Sequence, residues 1–182
     1  MRRGVDGGDA RGRPFAIVDK QQARLLVFAA DGQLLGAAPA LLGLAVGDHA
    51  VPGLGRRAGK IAPHERTTPA GRFESEPGRN HLGEAIVWID YDASLAIHRL
   101  RRAAAQERRA QRLASPSPAD NRISLGCIIV DPGFYDAVVA PTLGRQRGVV
   151  YVLPESPSDP ANLADATVLS SGTGTAPGRA GP

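Results

Sequence analysis

Apolar and polar residues alternate in short runs along most of this chain. The runs are rich in Val, Ile and Leu and are bounded by Gly, Asp or Pro, a pattern typical of β-strands. We therefore predict a mainly β domain whose strands follow one another closely. The predicted strands are Phe15–Val18, Arg24–Phe28, Ala85–Tyr91, Leu95–His98, Arg122–Val130 and Gly148–Leu153.

Turn and cap residues add detail to this pattern. Asp31-Gly32 has the composition of a β-hairpin turn and follows the second predicted strand. Asp131 followed by Pro132 predicts an N-cap and the first position of a short helix that runs to Val139.

An arginine-rich segment, residues 99–113, lies between two predicted strands. It contains six arginines and one glutamate. Its apolar positions follow helical spacing and Ser115-Pro-Ser-Pro118 ends it, so we predict a helical insertion over residues 99–120. Three roles stay open: a solvated helix that covers one edge of the sheet, a surface that steers an anionic substrate, and an RNA-binding segment.

The composition fits one soluble domain. The chain has 182 residues, of which 42% are hydrophobic and 22% charged, as in ordinary globular proteins. Residues 1–13 and 155–182 are rich in Gly, Pro, Ser and charged residues, so we predict that both are disordered and that residues 14–154 form the domain. The formal charge is +4 and aromatic residues make up 4%. Because stacking platforms are scarce, we expect no nucleic-acid partner.

Metal, cofactor and membrane signals are weak in this sequence. The four histidines, His49, His64, His81 and His98, are scattered without the spacing of a metal site, so we predict neither a metal nor a cofactor. The most apolar tract, residues 25–46, is interrupted by Gly, Pro and Asp and predicts no transmembrane segment. The basic amino terminus lacks the apolar run of a signal peptide. The oligomeric state is left open.

The chain has one cysteine, Cys127, downstream of His98. A thiol has a pKa of about 8.5 and becomes a strong nucleophile when an imidazole accepts its proton. On a strand, His98 would lie on the face opposite Ile97 and reach a cleft while Ile97 packs inward. The competing interpretation is that Cys127 is a small hydrophobic residue packed inside a strand.

Three segments in a fixed order bear on this choice. They are Glu65-Arg-Thr-Thr-Pro-Ala-Gly-Arg-Phe73, then Ile97-His98, then Arg122-Ile-Ser-Leu-Gly-Cys127. Together they resemble the L,D-transpeptidase catalytic domain of the YkuD type, whose signature is a His followed by a Ser-His-Gly-Cys segment. The resemblance also takes in residues 16–32 and covers residues 14–154. Leu125 stands at the position of the family's second histidine, and Ile129 replaces an arginine that usually follows the cysteine.

The resemblance implies a fold and a reaction. The fold would be a single L,D-transpeptidase-like domain, a β-sandwich or mixed sheet with one or two short helices. Cys127 would form a thioester with a peptidoglycan stem peptide, and His98 would be the base, oriented by the carbonyl of Arg99. The amides of Gly126 and Cys127 would hold the oxyanion.

Arg122 and Ser124 match the family's positions for groups that shape the substrate site. Arg122 would bind a substrate carboxylate, unless it forms a structural ion pair with Asp120 or Asp131. Because the family remodels bacterial cell walls and influences cell shape, the resemblance implies action in the periplasm or cell envelope. Either an export signal is missing from this chain or export is absent.

Two alternatives to the transferase remain. One is an L,D-carboxypeptidase or other hydrolase, in which water replaces the acceptor amine. The other is a non-catalytic cell-wall-binding or regulatory protein, in which Leu125 and Ile129 mark a decayed site.

Overall fold

The computed structural model describes residues 10–50, 57 and 61–156. This part of the chain contains two short helices, α1 (Arg109–Leu113) and α2 (Pro132–Phe134), and α2 continues as a π-helical turn over Tyr135–Val139. None of its helices has the length and apolar character needed to cross a membrane. The strands are β1 (Phe15–Asp19), β2 (Arg24–Phe28), β3 (Leu34–Gly43), β4 (Gly71–Arg79), β5 (Ala85–Asp90), β6 (Leu95–Arg99), β7 (Arg122–Ser124), β8 (Ile128–Val130) and β9 (Gly148–Val152).

The strands form one mixed sheet in the order β2-β1-β9-β4-β5-β6-β8-β3-β7. The long strand β3 also pairs with β2, so the sheet closes on itself. The pairs β1–β9, β6–β8 and β3–β7 are parallel. The mainly β prediction, with a mixed sheet and two short helices, is confirmed.

Alternation along β3, β6 and β8 gives the sheet two distinct faces. One face carries the main core, which contains Ile97 and Ile128 and extends to Tyr135 and Val139 beside α2. The other face carries a smaller cluster of Leu41, Leu113 and Ile129, with Leu100, Ile123 and Cys127 packed against it. Cys127 therefore lies on the face opposite the main core.

The predicted helix cap and hairpin turn are both present. The Asp131 carboxylate accepts hydrogen bonds from the amides of Gly133 at 2.8 Å and Phe134 at 3.2 Å, and Pro132 occupies the first helical position. Asp31 accepts from the Gln33 amide at 2.9 Å. This turn joins β2 to β3, which pair antiparallel.

Two strands were not predicted, and one predicted strand is divided. β3 contains Pro39 and two glycines, and β4 contains Pro77 and Gly78, so both resemble turn sequence. Pairing with a neighbouring strand overrides this local preference, because strand propensity depends strongly on context: Pro39 is paired with Arg24 of β2, and Pro77 with Val87 of β5. The predicted strand Arg122–Val130 is split into β7 and β8 by residues 125–127, the segment that carries the cysteine.

The continuous helix predicted over residues 99–113 is wrong. Arg99 ends β6, and the amide of Leu100 still donates to Val130 O at 2.7 Å, so the chain leaves the sheet too late to begin a helix there. A 3₁₀ turn follows at Ala105–Glu107, and Arg108 has a left-handed φ of 49° that separates it from α1. The insertion is therefore a series of short turns. Leu113, at the end of α1, packs onto the sheet.

The domain extends beyond its predicted bounds at both ends. Ala10 is buried with Phe15 and Val149, and Arg13 forms an ion pair with Glu74, so predicted disorder is wrong for residues 10–13. Glu155 is bound to the domain by ion pairs with Lys20 and Arg122. The remaining residues of both predicted disordered segments lie outside the described part of the chain.

Candidate active site

His98 on β6 and Cys127, the residue directly before β8, lie on the same side of two neighbouring parallel strands. The register of β6 and β8 pairs Ile97 with Ile128 and His98 with Ile129. Residues paired in a parallel ladder point to one side, and residues two apart on a strand share a face. Cys127 thus shares the face of Ile129 and His98. Their backbone positions are roughly 8 Å apart, because two residues span about 6.6 Å and neighbouring strands about 4.8 Å.

The turn before β8 presents the cysteine. Gly126 has a φ of 139°, and a Cβ there would lie 2.7 Å from Thr67 O, so only glycine fits this turn. The buried hydroxyl of Ser124 accepts a hydrogen bond from Gly126 N at 3.0 Å and donates one to Cys127 O at 2.7 Å. Ser124 therefore fixes the backbone on both sides of Gly126.

Thr68 connects this turn to an upstream segment. Its fully buried hydroxyl donates to Gly126 O at 2.8 Å and accepts from Gly43 N at 2.9 Å. The Thr-Pro-Ala-Gly segment therefore supports the cysteine turn directly.

Behind Thr68 lies a buried lysine that sequence reasoning missed. Lys20 Nζ donates to Thr68 O at 2.9 Å and to Gly47 O at 2.8 Å. It also forms ion pairs with Asp48 and, at 3.5 Å, with Glu155. Two carboxylates thus compensate a fully buried cation. The available signal was a lysine directly after the apolar strand β1.

The His98 ring is oriented by its neighbour's backbone. His98 Nδ1 lies 2.8 Å from Arg99 O, and since a carbonyl only accepts, Nδ1 carries the proton and Nε2 is the free acceptor. Burial lowers the pKa of His98 to about 4, and the charges of Arg101 and Arg109 lower it further, against the Arg99 carbonyl. At neutral pH the imidazole is therefore an uncharged base.

The thiol of Cys127 is held in its protonated form. Sγ donates to Ser94 O at 3.4 Å. Burial raises the pKa of Cys127, while a hydrogen bond from the Ala96 backbone and the charges of Arg101 and Arg109 act in the opposite direction. The thiol and the imidazole are thus both uncharged at rest, so a reaction between them would proceed by base-assisted proton removal.

Arg99 and Arg122 direct their side chains into structural contacts. The Arg99 guanidinium pairs with Asp136 and lies 4.1 Å from the centre of the Tyr135 ring, so only its carbonyl reaches His98. Arg122 donates to Glu155 at 2.9 Å and to Lys20 O at 3.0 Å. It pairs with neither of the aspartates considered from sequence, and its role toward a substrate stays a prediction.

The two departures from the family signature differ in their surroundings. Leu125 is 47% exposed beside the cysteine. Ile129 is 1% exposed and packs with Leu41 and Leu113, so a side chain from the arginine-rich insertion covers it. Within the described residues, no cluster of three His, Cys, Asp or Glu side chains is arranged to hold a metal ion.

No family model matches this chain, and no curated protein matches it in sequence. Among solved structures it is similar to the LD transpeptidase LdtMt1 in complex with imipenem, at 17% sequence identity and a TM-score of 0.44. The match covers 77% of this chain and 58% of that chain. The matched region spans less than two thirds of that chain.

Proposed function

We propose that this protein is a cysteine-dependent acyltransferase of the L,D-transpeptidase type that acts on peptidoglycan stem peptides. One observation carries the proposal: a thiol and an uncharged imidazole share one face of adjacent parallel strands, and the Arg99 carbonyl orients the ring. The order of motifs along the sequence supports the choice of substrate.

In the proposed first step, Cys127 Sγ attacks the carbonyl carbon of the peptide bond that follows the L-centre of a diamino acid. His98 Nε2 accepts the thiol proton as the S–C bond forms. The protonated imidazole then gives that proton to the departing nitrogen, the C–N bond breaks, and D-alanine leaves. A thioester between Cys127 and the shortened peptide results.

In the second step an acceptor amine attacks the thioester. His98 takes a proton from the amine and returns one to the sulfur, so the cross-link forms and the thiol is restored. The oxyanion formed in each step needs a backbone donor. Since Gly126 N already donates to Ser124 Oγ, the amide of Cys127 takes that role in this proposal.

A non-catalytic wall-binding protein is the second candidate. The raised pKa of Cys127 and its hydrogen bond to Ser94 O favour it, because both keep the sulfur in its unreactive form. A hydrolase would use the same thioester and differ only in its acceptor. In each case the substrate lies outside the cytoplasmic membrane, so we place the protein at the cell envelope.

Intact mass spectrometry of the protein after incubation with a disaccharide tetrapeptide tests the proposal. We expect an adduct of thioester mass on the native protein and none on Cys127→Ala, with cross-linked peptide in solution. Trimmed peptide without cross-links would identify the hydrolase. A folded native protein that forms no adduct and no product would exclude both enzymes and favour the binding protein.

A further inference from the structure

The arginine-rich insertion lines an open surface cavity of about 460 Å³ that begins directly after β6. Arg101 is the first charged residue of the cavity wall, and only two residues separate it from His98 in the sequence. The walls combine guanidinium groups with small apolar side chains. The four arginines are Arg101, Arg102, Arg108 and Arg109.

Packing connects the wall of this cavity to the sheet face on which the thiol lies. Leu100 lines the cavity and also packs, together with Cys127, against the cluster of Leu41, Leu113 and Ile129. Leu113 ends α1, which lies at the other end of the insertion. Both ends of the insertion are thus fastened to the sheet face that carries Cys127.

Two of the four arginines of the wall already bind carboxylates. Arg101 Nε lies 2.7 Å from Glu84 Oε2, and Arg109 pairs with Glu107. Arg102 and Arg108 form no ion pair with a carboxylate among the described residues; Arg108 donates instead to the Gln111 side chain at 2.6 Å. Two guanidinium groups of the wall are therefore left without a described counter-charge.

The chemistry of the walls favours one class of ligand. Guanidinium groups bind carboxylates through paired, charge-assisted hydrogen bonds. No aromatic side chain is found among the described residues that line the cavity, and these residues therefore offer no stacking surface of the kind that single-stranded nucleic acids use. The charges of Arg101 and Arg109 lower the pKa values of both His98 and Cys127.

We propose that this arginine-lined cavity is the subsite for a carboxylate-bearing part of the peptide that acylates Cys127. The inference rests on the proposed function for the identity of that peptide. Arg102 and Arg108 supply the free charges, while Arg101 and Arg109 shape the wall through their glutamates. The insertion therefore selects acidic acyl donors and holds them beside the nucleophile.

Equilibrium binding to a chain that cannot turn over tests this subsite. In the full-length Cys127→Ala variant, fluorescence anisotropy would compare a labelled stem tetrapeptide with the same peptide after its carboxylates are amidated. We expect Arg102→Gln combined with Arg108→Gln to weaken binding of the free acid about tenfold, a typical loss for two charge contacts. Binding of the amidated peptide should already be weak and should not change.

Arg145→Gln provides a matched control, because Arg145 is an exposed arginine in the turn before β9, outside the insertion. It should leave binding of both peptides unchanged. Urea unfolding of each variant would show that loss of binding is not loss of fold. Equal affinity for the acid and amide forms, or an unchanged affinity in the double variant, would overturn the subsite.

Competition and acylation measurements test the ligand class and the link to catalysis separately. Displacement of the peptide by inorganic phosphate at far lower concentration than by acetate would identify a phosphate site and overturn the carboxylate assignment. If the native protein forms no thioester while arginine-dependent binding of the acid peptide persists in Cys127→Ala, the subsite stands and the proposed enzyme function fails.

Discussion

The hydroxyl of Thr68 donates a hydrogen bond to the carbonyl oxygen of Gly126 across 2.8 Å, although 58 positions separate these residues in sequence. The same hydroxyl accepts from Gly43 N. One buried side chain thus joins β3, the segment before β4 and the turn that presents Cys127. A threonine in a turn-like motif acts as the support of the candidate nucleophile.

Replacing Thr68 by valine keeps the shape of the side chain but removes its hydroxyl. Gly126 O and Gly43 N would then be buried without this partner, so we expect a loss of about 1–3 kcal/mol in the free energy of unfolding. Thr68→Ser retains the hydroxyl and should restore most of the acylation rate that Thr68→Val loses. Urea unfolding and mass-spectrometric acylation rates measure the two effects. Equal acylation by both variants would refute the support role.

The buried side chain of Lys20 holds Thr68 in place by donating a hydrogen bond to its carbonyl oxygen. Lys20→Met leaves the carboxylates of Asp48 and Glu155 without their buried cation and removes the donor to Thr68 O. We expect destabilisation of about 3–5 kcal/mol, as for other broken buried ion pairs. Arg24→Gln, at an exposed strand position, should change stability by less than about 0.5 kcal/mol. A loss below about 1 kcal/mol for Lys20→Met would contradict the prediction.

The buried imidazole makes stability depend on pH. The pKa of His98 is about 4 in the folded protein against 6.5 as its ordinary value. Between these values the unfolded chain binds the proton and the folded chain does not, so the free energy of unfolding falls as pH drops from 6.5 toward 4.

Chemical denaturation of the native protein and of His98→Gln at several pH values measures this effect. The variant should lose less stability over the same window, because it has no imidazole to protonate. Nitrogen NMR of the His98 ring should show the neutral form at pH 6. A ring that titrates near 6.5 would disprove the buried, neutral base.

The uncharged resting states of Cys127 and His98 predict how alkylation of the cysteine depends on pH. Burial raises the pKa of Cys127, so its alkylation by iodoacetamide should have a pH midpoint above the ordinary value of about 8.5. His98→Gln should leave that midpoint nearly unchanged, because no imidazolium stabilises the thiolate at rest. The same variant should lower acylation by the stem peptide roughly 10²–10⁴-fold, the usual effect of removing a general base.

A midpoint well below 7 that rises in His98→Gln would instead show a preformed thiolate–imidazolium pair. The Cys127→Ala variant provides the blank for both measurements, because Cys127 is the only cysteine of the chain. The two rates together distinguish a base that acts during attack from one that ionises the thiol beforehand.

The sequence alone determined those features that depend on neighbouring residues. The alternation of Ile97 with His98 predicted one buried and one cleft-facing side chain, and Ile97 indeed lies in the main core. Asp131 and Asp31-Gly32 predicted a cap and a hairpin turn because both use hydrogen bonds within a few residues. These features need no knowledge of distant partners.

Only the tertiary structure decided which distant segments meet. β4 is a strand despite Pro77 and Gly78 because β5 and β9 pair with it, and the 99–113 helix fails because Leu100 stays bonded to β8. The Lys20–Thr68–Gly126 chain of hydrogen bonds joins residues from three separated segments. The charge state of His98 likewise depends on burial by packing. Local patterns specify backbone preferences, whereas desolvation and long-range pairing arise only when the chain closes its sheet.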